Sequence, residues 1–221
     1  MVSLSTPRPG GPLVTRLAAS PRPAIVQAPV PAGAPEGPVH GEVDQRIELS
    51  GAVAVNWAAK TAGLLADEGV DAGDAVLVDL PAHWLSHALV LGALVAGAEL
   101  SPASGSAEPW TSPAPDAVLT DRPERWTDPA TAVFAVALPR GLAPELGGDA
   151  DLDPGVVDVT AEIRAQPDAL PGPVDHVRAD MLADADVRVA GAGSGRPRLT
   201  LADVREALAA WDAGRAVTVH P

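Results

Sequence analysis

Between Ser50 and Ala98 the chain spells out a helix, a buried strand and a second helix with almost nothing left over. That order restricts the fold more than any other feature. Ser50 is a natural N-cap, because its hydroxyl can accept from a free backbone N–H in the first turn of a helix. Val53, Trp57, Leu64 and Leu65 then fall near one face, with Lys60, Asp67 and Glu68 on the other, and Gly69 supplies the stop. After a turn at 71–74, residues 75–80 form a short, mostly apolar run suited to a strand buried on both faces. Pro81 is expected to open the next helix, where a missing N–H costs nothing, and Gly97 to close it. The order predicts an α/β fold with a mostly parallel sheet flanked by helices.

The flanks continue the alternation. Residues 1–12 read as a Pro/Gly-rich lead and 13–19 as a short helix. Residues 24–27 and 46–49 are strands able to pair as a hairpin across a Pro/Gly-rich loop at 28–45. Further on, 117–120, 132–138 and 155–159 read as strands, and 160–165 as one or two helical turns. A strand candidate at 186–190 leads into the glycine-rich stretch 191–195. Thr200 then caps a helix through Trp211, with Asp203 favourable in its first turn, and 216–219 is a last strand. The expected division is a lead with a short helix over 1–23 and one α/β domain over 24–221.

Such a core must be built from small side chains. The chain has no Tyr, one Phe and five Trp, although 47% of its residues are hydrophobic. Ala, Val and Leu each bury little area, at about 25 cal/mol per Å², so stability depends on close backbone packing. The balance of 29 acidic against 15 basic residues gives a formal net charge of −14, with no Lys/Arg stripe to offset it. A surface of that sign repels phosphate backbones, which argues against nucleic acid as a partner. The absence of cysteine excludes thiolate chemistry and disulfides. The N-terminus lacks the layout of a signal peptide. The apolar run at 88–98 is too short for a bilayer and is broken by Gly92 and Gly97. A cytoplasmic chain without membrane contact is the expectation.

A more specific reading comes from the succession Leu49-Ser50-Gly51, helix, Gly69-Val70, Gly73-Asp74-Ala75-Val76, Leu80-Pro81, helix and Ala96-Gly97-Ala98. Together with Pro115-Asp116-Ala117-Val118-Leu119-Thr120-Asp121, it resembles the opening of acyl-CoA synthetases and other AMP-binding, adenylate-forming enzymes. The whole chain is similar to a short actinobacterial family related to that N-terminal region. The resemblance implies a truncated, AMP-binding-like α/β subdomain over 24–221. The signature loop of those enzymes, T-S-G-S-T-G-x-P-K-G, has its counterpart at residues 189–199. Ser194, Gly195 and Pro197 match, and Arg198 replaces the lysine; the remaining hydroxyl positions fall on Ala190, Gly191 and Gly193, and Leu199 stands where glycine is expected.

The phosphate-binding residues implied by the resemblance are therefore Gly193, Ser194, Gly195 and Arg198, with ATP or AMP as the ligand. Glycine N–H groups can form an anion nest and an arginine can pair with phosphate. The same glycines equally fit a plain strand-to-helix turn before Thr200. The stretch is neither a Walker loop nor a dinucleotide fingerprint, since Arg196 follows Gly195 and occupies the third glycine position. The chain ends at Pro221, before the family's adenine, ribose and metal-binding segments and its mobile C-terminal lysine. Adenylation needs metal and lysine to stabilise charge at phosphorus, so catalysis by this chain alone is not expected. Three readings follow. One is a non-catalytic AMP-binding-like protein with weak nucleotide or acyl-ligand affinity; another is an interaction module that docks on a synthetase or other protein partner. The last is a subunit of a split acyl-adenylating enzyme.

Other constellations are weaker. His83 and His87 sit four apart on a predicted helix and could share a metal, but Trp84 stands where a zinc-protease glutamate would be, and a surface pair is the expectation. Asp149, Asp151 and Asp153, and the group Asp180, Asp184 and Asp186, read as solvated acidic loops without EF-hand spacing. His176 in its Pro-rich stretch indicates nothing specific, and no serine sits in a nucleophile elbow.

Overall fold

The computed structural model describes residues 11–29, 46–101, 114–139, 152–170, 172–182 and 198–220. Residues 30–45 of the expected 28–45 loop, and the strand and glycine stretch expected at 186–195, lie outside these.

The opening hairpin forms as expected. Helix α1 (Leu13–Ala18) leads into β1 (Pro23–Gln27), which pairs antiparallel with β2 (Ile47–Ser50). Ser50 caps α2 (Gly51–Asp67), its hydroxyl accepting from Val53 N, and Gly69 follows at φ 82°. Strand β3 (Ala75–Asp79) precedes α3 (Trp84–Ala96), which Gly97 ends in the left-handed region at φ 86°. Short strands β4 (Glu99–Ser101), β5 (Ala117–Thr120), β6 (Ala132–Ala135) and β7 (Val156–Asp158) follow, then the single turn α4 (Val159–Glu162). Helix α5 (Leu201–Asp212) carries a full capping box between Thr200 and Asp203, and β8 (Val217–Val219) closes the series.

Two sheets result. One is five-stranded and wholly parallel, in the order β4-β3-β5-β6-β7. The other has the order β2-β1-β8, with β8 parallel to β1. Helix α3 contacts both β1 and β4, and every residue from Trp84 to Val95 is buried. A helix covered on all sides has no need of a polar face, which explains its uniformly apolar sequence.

The burial of α2 corrects the expected apolar face. Val53 is 41% exposed, whereas Ala54, Ala58, Ala59 and Thr61 are buried alongside Leu64 and Leu65. The small residues turn inward because α2 and α3 approach closely. A Cβ on Gly92 of α3 would stand 2.9 Å from the Ala58 carbonyl oxygen and 2.7 Å from Thr61 Cγ2. Backbone proximity takes the place of large side chains, and the larger Val53 is left outside.

The start of α3 is also corrected. The helix begins at Trp84 with His83 as its extended N-cap, not at Pro81. Pro81 instead forms an isolated antiparallel bridge with Arg198. Beyond α4, residues 163–170 and 172–182 lie against α2 and α3 without regular structure. They bury Ile163, Val174 and Val177 and anchor at His176, whose Nε2 donates to Leu94 O at 2.9 Å.

Candidate functional site

Strand β3 has β4 on one side and β5 on the other, so the chain reverses its direction of travel across the sheet between them. In open parallel sheets the crevice outside the carboxyl ends of the strands at such a switch point is where ligands bind. Here β3 ends in Asp79 and β5 ends in Thr120, followed by Asp121 and Arg122.

These side chains make one network. Asp79 is buried, and a buried carboxylate persists only when its oxygens are satisfied. Its Oδ1 accepts from Arg122 Nη2 at 2.6 Å and lies 3.4 Å from Arg198 Nε. Its Oδ2 accepts from Thr120 Oγ1 at 3.1 Å and from Trp126 Nε1 at 3.4 Å. Thr120 Oγ1 in turn accepts from Arg122 N at 3.0 Å, which fixes the turn leaving β5. Arg198 Nη1 donates to the Asp79 carbonyl oxygen at 3.0 Å and to Asp121 Oδ1. Two carboxylates and two guanidiniums thus face each other at the strand ends.

Of the four residues expected to hold phosphate, Gly193, Ser194 and Gly195 lie outside the described residues. Arg198 is described, and its guanidinium is already engaged by Asp79 and Asp121, with 16% of its side chain exposed. Its backbone is fixed as well, since Leu199 N donates to Leu80 O at 2.8 Å beside the Pro81 bridge. A phosphate at Arg198 would have to displace two carboxylates.

The histidine pair is corrected: it is not on the surface. His83 is fully buried; its Nδ1 accepts from Leu85 N at 3.1 Å and its Nε2 donates to Pro139 O at 3.1 Å. Both ring nitrogens are occupied, so it has no lone pair for a metal. His87 Nδ1 donates to the His83 carbonyl at 3.0 Å. Burial pushes the His87 imidazole below its ordinary pKa, partly offset by that hydrogen bond and by the Asp203 carboxylate. Among the described residues no group of three or more His, Cys, Asp or Glu is placed to hold a metal ion. Asp180 is an exposed partner of Arg178, and Asp149, Asp151, Asp184 and Asp186 lie outside the described residues.

Asp79, Thr120, Asp121, Arg122 and Trp126 were not singled out as site residues from the sequence. The available signal was an aspartate closing an otherwise apolar strand at residue 79, and a Thr-Asp-Arg at the end of the next.

A wholly parallel five-stranded sheet of this order, with a polar cluster at its strand ends, defines an open α/β fold with a topological switch point. Comparison with solved structures places the chain more closely, and the likeness is one of fold. An acyl-CoA synthetase of Brucella canis matches 98% of this chain and 44% of its own length, at 16% identity and a TM-score of 0.58. Coronafacic acid ligase from Pectobacterium brasiliense matches 79% of this chain and 41% of its own, at 13% identity and a TM-score of 0.53. A nonribosomal peptide synthetase matches 98% of this chain and 23% of its own, at 19% identity and a TM-score of 0.51. The chain thus spans less than half of these enzymes.

No protein-family model matches the sequence. A TIGR03089 family protein of Mycobacterium tuberculosis is 49% identical over 57 residues, 25% of this chain and 23% of that one. The match thus covers about a quarter of each chain. Among the described residues, no helix is long and apolar enough to cross a membrane.

Proposed function

We propose that this chain is a non-catalytic protein built on part of the adenylate-forming fold, with weak affinity at most for a nucleotide or acyl ligand. The observation that carries this reading is the engagement of Arg198 by Asp79 and Asp121 at the switch point. The position that faces a ligand in such a sheet is occupied by the chain's own charges. Residual ATP or AMP binding through Gly193, Ser194, Gly195 and Arg198 requires Arg198 to exchange carboxylate for phosphate.

The test is acyl-AMP formation by the purified chain with ATP, magnesium and a panel of carboxylic acids. Product above background would sink the non-catalytic reading. Thermal melts with ATP and AMP, with and without magnesium, address binding, since ligand at a hundred times its Kd adds about 2.7 kcal/mol. A shift that disappears in Arg198→Ala assigns the ligand to the loop.

A second reading is favoured by the chain matching only 44% of the Brucella synthetase. The protein would then dock on a synthetase or another partner, or serve as one subunit of a split acyl-adenylating enzyme. Acyl-AMP formation that appears only when a second chain carrying the remaining motifs is added would support the split enzyme and exclude the lone scaffold.

A further inference from the structure

We propose that Arg198 is a latch: its guanidinium closes the switch-point crevice from within the chain and holds the segment entering α5 onto the five-stranded sheet. The contacts are of the kind that a guanidinium makes and an ammonium cannot. Nη1 reaches the Asp79 carbonyl and Asp121 Oδ1 while Nε faces Asp79 Oδ1 at 3.4 Å, so three acceptors on two strand ends share one planar fork. Among the described residues the backbone adds the Pro81 bridge and the Leu199 N to Leu80 O hydrogen bond.

Charge explains why the latch stays shut. Without Arg198 the cluster keeps Asp79 and Asp121 against Arg122 alone, one uncompensated negative charge beside a buried carboxylate. An anion arriving at Arg198 has to leave that charge behind, whereas a monocation of the same fork geometry restores neutrality. The side chains of Arg198 and Asp121 are 16% and 21% exposed, so the rim of the network meets solvent and responds to salt. Mechanically the latch joins the two sheets. The residues that follow it form α5 and β8, and β8 pairs with β1 of the three-stranded sheet. The latch does not rest on nucleotide binding.

The experiment is a set of thermal melts on full-length Arg198→Ala with millimolar methylguanidinium, and with methylammonium as the control cation. The variant is expected to lose on the order of 10 °C in Tm. Methylguanidinium should recover part of that loss saturably and methylammonium should not, while neither raises the wild type. A loss no larger than that of Arg178→Ala, or a variant that methylguanidinium fails to raise, overturns the proposal. Asp121→Asn, which leaves Arg198 its contacts to Asp79, gives an independent readout should Arg198→Ala not fold. It is expected to lower Tm by a smaller amount and to flatten the salt dependence of the wild type. A Tm equal to the wild type's at low salt overturns the latch.

Discussion

At the scale of single residues, the buried Asp79 is held by two guanidiniums, a hydroxyl and an indole N–H that converge on it. Asp79→Ala leaves Arg122 and Arg198 short of a counter-charge and should cost about 3 kcal/mol in urea unfolding. Arg178→Ala breaks a pair whose side chains are 66% and 73% exposed, and should leave the urea midpoint where it is in the wild type. His87 is an interior group that titrates against its surroundings. It is buried, facing His83 on its own helix and Asp203 on α5, and its folded pKa lies below the ordinary 6.5. Above about pH 6.5 neither state binds the proton, so the full stability is present. Below that value the unfolded chain takes a proton that the folded one resists, and stability falls until the folded pKa is reached. Melts between about pH 7.5 and about pH 5.5 should show this slope in the wild type and a flatter one in His87→Asn, which keeps a donor for the His83 carbonyl.

At the scale of elements, the α2–α3 pair shows how a chain poor in aromatics is held together. Gly92 lets α3 lie against Ala58 and Thr61, a spacing that a methyl group already violates. Gly92→Ala should therefore destabilise by about 1–3 kcal/mol despite its better helix propensity. Combined with Thr61→Gly, which removes the opposing Cβ and Cγ2, it should cost less than the two single changes added together. A double-mutant cycle without coupling between the two sites would contradict the close approach. Most elements were readable beforehand, because caps, stops and apolar runs are local signals: Ser50, Gly69, Gly97 and Thr200 all stand where the sequence places them, whereas the three-residue edge strand β4 was too short to be read. Nor was the buried face of α2 readable. A face of Ala, Thr and Gly carries little hydrophobic contrast, so the exposed Val53 drew the assignment outward, while the half-buried Trp57 packs edge-on against Trp84.

At the scale of the whole molecule, the beginning and end of the described chain are stitched together. Strand β1 pairs with β8, Trp211 Nε1 donates to Ala24 O at 2.8 Å, and Arg16 pairs with Asp212. The core cluster accordingly runs from Leu13 to Val219. Removal of residues 201–221 would open the edge of β1 and expose the apolar residues that α5 covers. Such a truncation should elute as aggregate in size-exclusion chromatography and lose its cooperative melt. A monomeric, cooperatively melting product would mean that α5 and β8 are dispensable to the fold.

Most of the succession of elements and the α/β class were legible in the residues alone, because helix caps, strand runs and Pro/Gly punctuation act within a few residues of one another; the short edge strand β4 was not. The resemblance to adenylate-forming enzymes rested on the same local succession. The tertiary structure alone decided that the first and last strands share a sheet, that α3 is enclosed, that His83 and His87 are interior, and that Arg198 meets Asp79 and Asp121. Each of these depends on residues brought together from distant parts of the chain. Arg198 shows the difference most directly: in sequence it is a cation beside a glycine-rich stretch, and its partners 119 and 77 positions away make it a counter-ion.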